Sequence, residues 1–402
     1  MKKTVVAMLL AILAAGSVYA LDPGQSELEY NGWFRYTNQS SPFKVTSPTV
    51  SRSTLERDYL RAGHQWTNKL YSKLTLDFLS SSSYADGFST RIKEAYVDMV
   101  TPIKDFNLTA GMQKVYFGEI YSWDYTHPDK ELADDRGVCA SADYGMTLNG
   151  FLPSGLGELQ LGAYNGEGYK VTGAKNSAAP MLLANLRLTP IAGFQVGASV
   201  FNKVKDFSPY SNGKAGRGTG ADTTKFFNAD TANRNRFAFA PMAKVAFGPV
   251  SLTGEYIMYS YTRNLSYYAL TRDTSTHKVT DSTLTVSNKN YKMSGIDLMP
   301  LVTLMNSHLD VFGRFSTWQQ KEQSGDSMPE NKAKSLMRYG LGFNWHFLKR
   351  AGGSKPAVAF QFAWIHEQSD ALKPAPSTDK VDPTNTFMAQ FRLEWNHVLN
   401  AN

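Results

Sequence analysis

The feature that most constrains the fold of this chain is an alternation of apolar and polar residues with a period of two. Residues 69–78 read KLYSKLTLDF and residues 387–396 read FMAQFRLEWN, so apolar side chains fall predominantly on every second position. Successive side chains of a β-strand point to opposite faces, whereas an amphipathic helix repeats its apolar positions about every 3.6 residues. The pattern therefore predicts strands with one apolar and one polar face.

This alternation recurs along the chain and predicts sixteen strands. Each is close to the roughly 9–11 residues that a tilted strand needs to cross the hydrocarbon core of a membrane. The predicted strands lie near residues 28–37, 54–66, 69–79, 90–100, 105–114, 141–151, 157–165, 180–189, 193–203, 236–247, 249–261, 289–299, 308–318, 335–347, 356–366 and 385–399. We therefore predict an all-β fold, a transmembrane antiparallel β-barrel of about sixteen strands.

The predicted connections between these strands alternate in length. The short ones are residues 67–68, 101–104, 152–156, 190–192, 248, 300–307 and 348–355. The long, polar ones are residues 38–53, 79–89, 115–140, 166–179, 204–235, 262–288, 319–334 and 367–384. Short periplasmic turns and long outer loops are typical of outer-membrane barrels. A soluble β-sandwich would also show alternation within a strand, but it has no reason to sort its loops in this way.

The amino terminus has the pattern of a secretory signal peptide. Lys2 and Lys3 precede an apolar run at residues 5–15, and residues 18–20 (VYA) form a small-x-small cleavage site. The apolar run is too short for a membrane-spanning helix, which needs roughly 20 residues. We predict a signal peptide at residues 1–20 and one outer-membrane barrel domain at residues 21–402. The predicted location is the bacterial outer membrane.

Composition agrees with a barrel and excludes other classes of protein. The mean hydropathy is only -0.34, yet 13% of the residues are aromatic. A transmembrane barrel produces this combination because only every second strand residue contacts lipid, while aromatic rings collect at the membrane interfaces. Candidates for these interfacial positions are Tyr256, Trp318, Trp345, Trp364 and Trp395. Export and the absence of long basic runs predict no nucleic-acid partner, although the formal net charge is +7.

The sequence lacks the motifs of known catalytic and metal sites. The seven histidines are scattered without the HExxH spacing of a metal site, and no GxSxG nucleophile motif is present. Cys139 is the single cysteine, so an intrachain disulfide is excluded. We expect neither enzymatic activity nor a cofactor. A barrel-embedded lipid hydrolase remains as an alternative, since catalytic Ser and His side chains need only be neighbours in space.

With the strands placed, several short motifs occur in the order found in a known family. They are residues 91–98 (RIKEAYVD), 108–118 (LTAGMQKVYFG), 135–138 (DRGV), 162–166 (GAYNG), 254–256 (GEY), 313–316 (GRFS) and 340–345 (GLGFNW). In these motifs the chain resembles the phosphate-selective porin O/P family. The resemblance implies a sixteen-stranded porin, usually a homotrimer, whose third outer loop folds inward and whose lumen guides anions.

Charged residues on the polar face of the strands are candidates for the lining of a pore. They are Arg35, Arg57, Arg61, Lys73, Arg187, Arg314, Arg338, Arg392, Glu94, Asp98 and Glu255. Basic rings bias a pore towards anions and acidic rings bias it towards cations. The alternative for each residue is a wall charge that is paired across neighbouring strands and contributes little to selectivity.

The third outer loop, residues 115–140, supplies candidates for a constriction. Its charged residues are Glu119, Asp124, Asp129, Lys130, Glu131, Asp134, Asp135 and Arg136. Six acids and two bases give this loop a net charge of -4. An acidic loop at a constriction would repel phosphate, because like charges are poorly screened in a narrow passage of low dielectric constant. The loop therefore opposes the anion preference that the resemblance implies.

These observations lead to one main functional hypothesis and two alternatives. The main one is an outer-membrane channel for passive diffusion of small hydrophilic solutes, with outer-membrane lipid as its surroundings. A preference for anions, including phosphate, is implied by the resemblance alone. The first alternative is a structural or adhesion barrel with a plugged pore, and the second is the lipid hydrolase.

Overall fold

The computed structural model describes residues 21–40, 50–80, 88–119, 127–170, 179–207, 225–227, 233–272, 279–323, 335–349, 357–369 and 383–399. Its strands are β1 (Ser26–Gln39), β2 (Val50–Thr67), β3 (Leu70–Ser80), β4 (Phe88–Val100), β5 (Phe106–Lys114), β6 (Ala142–Leu152), β7 (Gly157–Tyr164), β8 (Met181–Ile191), β9 (Phe194–Phe207), β10 (Lys225–Phe227), β11 (Asn233–Phe247), β12 (Val250–Arg272), β13 (Val279–Leu304), β14 (Leu309–Gln323), β15 (Ser335–Leu348), β16 (Ala357–Ser369) and β17 (Thr384–Leu399). The described residues also include one short α-helix, α1, at Leu132–Asp135.

Sixteen of these strands form a closed antiparallel barrel. Each strand pairs with its neighbours in sequence, and β9 pairs directly with β11. The barrel closes where β1 pairs with β17, from Ser26 opposite Leu399 to Gln39 opposite Thr386. The three-residue β10 pairs only with the far end of β12. Closure gives the backbone amides partners on adjoining strands, which a lipid environment requires. The prediction of a sixteen-stranded barrel is confirmed, and β10 was not predicted.

The two faces of the barrel wall differ in polarity. On the outer face, Phe34, Leu182 and Phe391 are each more than half exposed. On the inner face, Asn31 and Gln390 are almost completely buried. Large apolar side chains on the outside suit contact with lipid, and polar side chains inside suit contact with water. Among the described residues, no helix is long and apolar enough to cross a membrane.

The connections sort by length between the two ends of the barrel. At one end, the turn end, β2 and β3 are separated by residues 68–69, and β11 and β12 by residues 248–249. Gly248 adopts a positive φ of 57° in this second turn, a conformation that favours glycine. At the other end, the loop end, the connections include residues 115–141 and 208–232. The predicted alternation of short turns and long loops is confirmed.

The hairpin formed by β12 and β13 corrects two predicted connections. Residues 262–288, predicted as a loop, belong largely to these two strands, which pair from Val250 opposite Val302 to Arg272 opposite Val279. Residues 300–304, predicted as part of a turn, continue β13. Residues 262–288 are polar, but they are rich in Thr, Tyr and Val, which favour extended strands. The predicted signal peptide lies outside the described residues and stays a prediction.

Candidate functional site

The connection between β5 and β6 folds into the barrel. We call residues 115–141 the inner loop; the structure describes residues 115–119 and 127–141 of it. Its ends lie side by side, because Lys114 pairs with Ala142. Between these ends the loop reaches distant strands. The Gly118 amide donates to Ser199 Oγ on β9 at 3.0 Å, and Arg35 on β1 donates to the carbonyl of Pro128. The loop therefore crosses the lumen.

Apolar packing holds one side of the inner loop against the wall. The loop contributes Val115, Phe117, Leu132, Ala133 and Val138, all completely buried. Their partners on the inner face of β7–β9 and β11–β15 include Phe201, Ala240, Ile257, Tyr259, Trp318 and Leu336. Removing apolar surface from water stabilises this contact by roughly 25 cal/mol per Å². We call this half of the interior the covered wall.

Trp318 corrects a prediction made from the sequence. Its position near the end of β14 suggested an interfacial ring on the lipid side. The side chain instead lies inside the barrel, 2% exposed, in the apolar cluster that includes Leu132. The inner face of β14 is apolar at Phe312 and Trp318, which flank Arg314 and Ser316. An apolar inner face is the signal that a loop covers it.

Two arginines of the covered wall bind the acids of the inner loop. Arg314 on β14 contacts Asp129 at 2.6 Å and Asp297 of β13 at 2.7 Å. Arg338 on β15 contacts Asp129 and Asp135, each at 3.0 Å. Both guanidinium groups are almost fully buried. Removing one partner of such a buried pair leaves an uncompensated charge at a cost of about 3–5 kcal/mol. These pairs therefore anchor the loop.

A third arginine anchors the beginning of the loop. Arg187 on β8 donates to the carbonyl of Gly118. It lies 3.5 Å from Glu119 and 3.7 Å from Glu158 of β7. Of the pore-lining candidates, Arg187, Arg314, Arg338 and Glu255 therefore lie beneath the inner loop, at 5% exposure or less.

The electrostatic environment fixes the protonation of the loop beside these arginines. Arg338 and Arg314 outweigh the effect of burial and hold the pKa of Asp129 well below its usual range. Burial, assisted by Arg314, lowers the pKa of His127 to about 3. His127 Nδ1 accepts a hydrogen bond from the Asp129 amide at 3.0 Å, and its ring packs on Phe312. At neutral pH the loop thus presents a carboxylate and a neutral imidazole to the covered wall.

The opposite side of the interior, formed by β1–β5, carries bases, and Tyr169 of the connection after β7 donates to Asp77 on this side at 3.1 Å. We call this side the open wall. Arg57, Tyr59 and Arg61 follow one another on the inner face of β2. Lys93 on β4 donates to Tyr59 Oη at 2.7 Å, and its ammonium lies 4.2 Å from the centre of that ring. The tyrosine thereby holds a lysine and an arginine on the same surface.

Four bases of the open wall form a group that we call the basic cluster: Arg61, Lys73, Lys93 and Lys114. All four act electrostatically on Glu94. Glu29 is the second acid among them and lies 2.9 Å from Arg61 and 3.8 Å from Lys73. Four bases and two carboxylates leave a net charge of +2 on this part of the wall.

Further bases lie where the open wall meets the inner loop. Lys170, which follows β7, lies within electrostatic range of Lys130 of the loop and of Arg57 and Arg91 of the wall. Burial, followed by repulsion from Lys130, lowers the pKa of Lys170. Arg35 pairs with Glu56 at 3.1 Å. The bases thus continue from the basic cluster to the edge of the loop.

The other predicted site residues lie outside this series of bases, and one of them lies outside the described residues. Asp98 accepts a hydrogen bond from Thr109 near the turn end, and Arg392 pairs with Glu394 at 3.1 Å. Arg136 pairs with Asp135. Asp134 belongs to α1, whose N-terminus is capped by Glu131. Asp124 lies outside the described residues.

Sequence reasoning missed two members of the basic cluster, Lys93 and Lys114. The pairing of β3 with β4 shifts by one residue between Thr75 and Leu76, and the extra residue on β4 is Lys93. Strict alternation would place Lys93 and Glu94 on opposite faces, but both are buried inside. A β-bulge is not readable from alternation. Lys114 follows Gly111, whose φ of 124° departs from regular strand geometry.

No family model matches the chain, and a search of curated protein sequences finds no match. Solved structures do match. OmpT, an outer membrane protein of Vibrio cholerae in its trimer form, is 12% identical with a TM-score of 0.54, covering 93% of this chain and 100% of its own. The anion-selective porin from Comamonas acidovorans (11%, 0.54) and the outer membrane channel DcaP of Acinetobacter baumannii (11%, 0.56) each cover 92% of this chain and 100% of their own.

The chain has the fold of an outer-membrane barrel. At this level of identity the likeness shows the fold alone. The resemblance to the phosphate-selective porin O/P family therefore stays a prediction, because no family model supports it.

Proposed function

We propose that this protein is an outer-membrane channel through which small hydrophilic solutes diffuse passively, and that it prefers anions. The closed barrel, with an apolar outer face and a charged interior, supports the channel. Among proteins of the same fold, one is named an anion-selective porin and another an outer membrane channel. The proposal includes no catalytic step.

One contrast carries the preference for anions: three acids of the inner loop pair with arginines of the covered wall, whereas Lys73 and Lys114 of the basic cluster remain partly exposed. The loop alone has a net charge of -4, but Asp129, Asp135 and Glu119 pair with Arg338 and Arg187. Bound in this way, these three carboxylates contribute little field to the passage. The basic cluster, at a net +2, then sets its potential.

Phosphate is the narrower proposal for the solute. Arginine and lysine side chains can replace part of the hydration shell of an anion during passage. The open wall offers both kinds of donor within one group, at Arg61 and at Lys73. A row of such donors lets an anion move from one to the next without being held.

The same proposal places the chain in the bacterial outer membrane as a homotrimer surrounded by lipid. The support is the fold and the trimer form of the Vibrio cholerae protein. Chemical crosslinking of the protein extracted from membranes should give a three-chain band. A band of one chain only would contradict the trimer without affecting the channel.

The experiment that tests the channel is reconstitution of the purified protein in a planar lipid bilayer. We expect stepwise conductance, and in a KCl gradient we expect a reversal potential that shows chloride carrying most of the current. Replacing chloride with phosphate on one side then measures the relative permeability of phosphate. Negligible conductance would favour a plugged structural or adhesion barrel. Cation-dominated current would overturn the anion preference. Lipid hydrolysis lost on a single Ser or His substitution would favour the hydrolase.

A further inference from the structure

Three carboxylates meet where the inner loop touches the covered wall. They are Glu131 of the loop, Glu255 of β12 and Asp297 of β13, and we call them the acid cluster. One oxygen of each lies within 4.8 Å of the others. All three residues are 4% exposed or less. Buried carboxylates are costly unless each finds donors or a cation.

The hydrogen bonds of the acid cluster leave one oxygen unsatisfied. Asp297 accepts from Arg314 at 3.1 and 2.7 Å and from Ser316. Both oxygens of Glu131 accept from backbone amides at the start of α1. Glu255 Oε2 accepts from the Glu119 amide at 3.1 Å, but Oε1 is fully buried and receives no hydrogen bond from an N–H or hydroxyl group. The Glu131 carboxyl is the neighbour with which Glu255 could share a proton. A charged acceptor in this position calls for a further ligand.

The charges around the acid cluster do not balance. Arg314 is shared between Asp297 and Asp129. Arg338 binds Asp129, Asp135 and Glu367. The carboxylates thus outnumber the guanidinium groups that meet them, which leaves the acid cluster with excess negative charge. Burial and the neighbouring Glu255 accordingly raise the pKa of Glu131 well above its usual range.

We propose that Glu131, Glu255 and Asp297 bind one hard divalent cation, of the Ca²⁺ or Mg²⁺ type, which fastens the inner loop to the wall. All three ligands are carboxylate oxygens, the donors that these cations prefer. Oxygens that surround Ca²⁺ at about 2.3–2.6 Å can lie up to roughly 5 Å apart, which accommodates the observed spacing. A divalent cation would compensate more of this excess negative charge than a single shared proton would.

The cation would join three separate elements. Glu131 caps α1, so a ligand on its carboxylate also fixes the helix that carries Leu132 into the apolar cluster. Glu255 and Asp297 are opposite one another on the paired strands β12 and β13. The cation would therefore act beside the Arg314 pairs and independently of the basic cluster on the open wall. The proposed function does not depend on it.

The test uses the full-length folded protein in detergent, stripped with EDTA and titrated with Tb³⁺ as a probe of Ca²⁺ sites. Trp318 lies beside Leu132, because a Cβ added to Gly295 would lie 2.6 Å from the Trp318 ring and 2.9 Å from the Leu132 side chain. It can therefore transfer excitation energy to a Tb³⁺ ion at the acid cluster. We expect sensitised emission that saturates at one ion per chain and is displaced by Ca²⁺. Trp318→Phe should lose most of the emission and keep the Ca²⁺ binding measured by calorimetry.

The variants Glu255→Gln and Glu131→Gln should each weaken Ca²⁺ binding at least tenfold. Asp77→Asn is the matched control, because Asp77 is an equally buried acid on β3, across the barrel; it should bind Ca²⁺ like the unmodified protein. Calorimetry on the unmodified protein does not depend on whether a variant folds. Absence of saturable Ca²⁺ and Mg²⁺ binding there would overturn the proposal in favour of a shared proton. Undiminished binding by a folded Glu255→Gln protein would overturn it as well.

Discussion

The covered wall and the open wall have the same strand geometry but different interiors. On the covered wall, the inner face of the strands carries buried apolar residues such as Phe201 and Ile257, and its arginines bind carboxylates of the inner loop. On the open wall, the inner face carries the basic cluster around Glu94. One wall is a packed core, and in the proposed channel the other lines the remaining lumen. Facing the interior is therefore not the same as lining a pore.

Arg314 and Lys73 show the difference at the level of single residues. Both occupy inner positions of a strand, and sequence reasoning assigned both to the pore lining. The Arg314 side chain is 0% exposed and is held between two carboxylates. The Lys73 side chain is 19% exposed, and its nearest carboxylate, that of Glu29, is 3.8 Å away. A close buried pair fixes structure, whereas a partly exposed charge remains able to act on a passing ion.

The largest expected effect comes from Arg314→Met, which removes an anchor of the covered wall. Asp129 and Asp297 would lose a shared partner, so the free energy that holds the loop should fall by about 3–5 kcal/mol. Trypsin cleavage after Lys130 of the inner loop reports its release. The cleavage rate should rise at least about a hundredfold, since every 1.4 kcal/mol is a factor of ten.

Arg392→Met is the control for this change. Arg392 is also a buried arginine of the inner face, but its partner is Glu394, on the same strand. Cleavage after Lys130 should remain at the level of the unmodified protein. Equal cleavage of the two variants would mean that the covered wall does not hold the loop through Arg314.

The next effect concerns the apolar half of the same contact. Leu132→Ala removes a completely buried side chain that packs near Trp318. A buried leucine costs about 2–5 kcal/mol when replaced by alanine, and a loop that can settle into the space should be at the lower end. Cleavage after Lys130 should increase, but less than in Arg314→Met. Leu74→Ala, on the outer face of the open wall, should leave it unchanged.

Much of the barrel was predictable from the sequence, because period-two alternation and loop length are local properties. They located all sixteen barrel strands and the sorting of the connections. They could not show that residues 262–272 continue a strand, since a polar segment with high β-propensity can form either a loop or a projecting hairpin. Alternation also could not place Lys93, because a bulge shifts the faces without leaving a mark in the pattern.

The charge of the inner loop was the misleading part of the sequence. Counting its acids predicts a passage that repels anions, because a count treats every charge as facing the lumen. The partners of Asp129 are Arg314 and Arg338, 185 and 209 residues further along the chain. No local pattern connects residues at such separations. Apolar residues at inner strand positions, such as Phe201, Ile257 and Trp318, are the local sign that something covers this wall.

A smaller effect is expected from Arg57→Gln combined with Arg61→Gln on the open wall. Neutralising two bases should lower the anion-to-cation permeability ratio about threefold to tenfold, or roughly 0.7–1.4 kcal/mol. The reversal potential in a KCl gradient measures this ratio. The matched control is Lys69→Gln combined with Lys104→Gln, two exposed bases in the turns, which should leave the ratio nearly unchanged. An unchanged ratio in the arginine variant would remove these residues from the ion pathway.

The smallest effect is a dependence of loop anchoring on pH that arises at His127. The pKa of His127 is about 3 in the anchored loop, below the ordinary value near 6.5. Between these two pH values, His127 is protonated in the released loop and neutral in the anchored loop. Anchoring therefore weakens as the pH falls through 6.5 towards 3. Between pH 7 and pH 6 the free energy of anchoring falls by about 0.7 kcal/mol, half of the value for one full pKa unit.

The variant His127→Asn tests this prediction, because it keeps an acceptor for the Asp129 amide and cannot titrate. The measurement is the rate of cleavage after Lys130 in the unmodified protein divided by the rate in His127→Asn. This ratio should rise about threefold when the pH falls from 7 to 6. Taking the ratio cancels the pH dependence of trypsin and of Glu131. A constant ratio would mean that His127 is accessible to protons in the anchored loop, and the covered wall would then be less tightly closed than its contacts indicate.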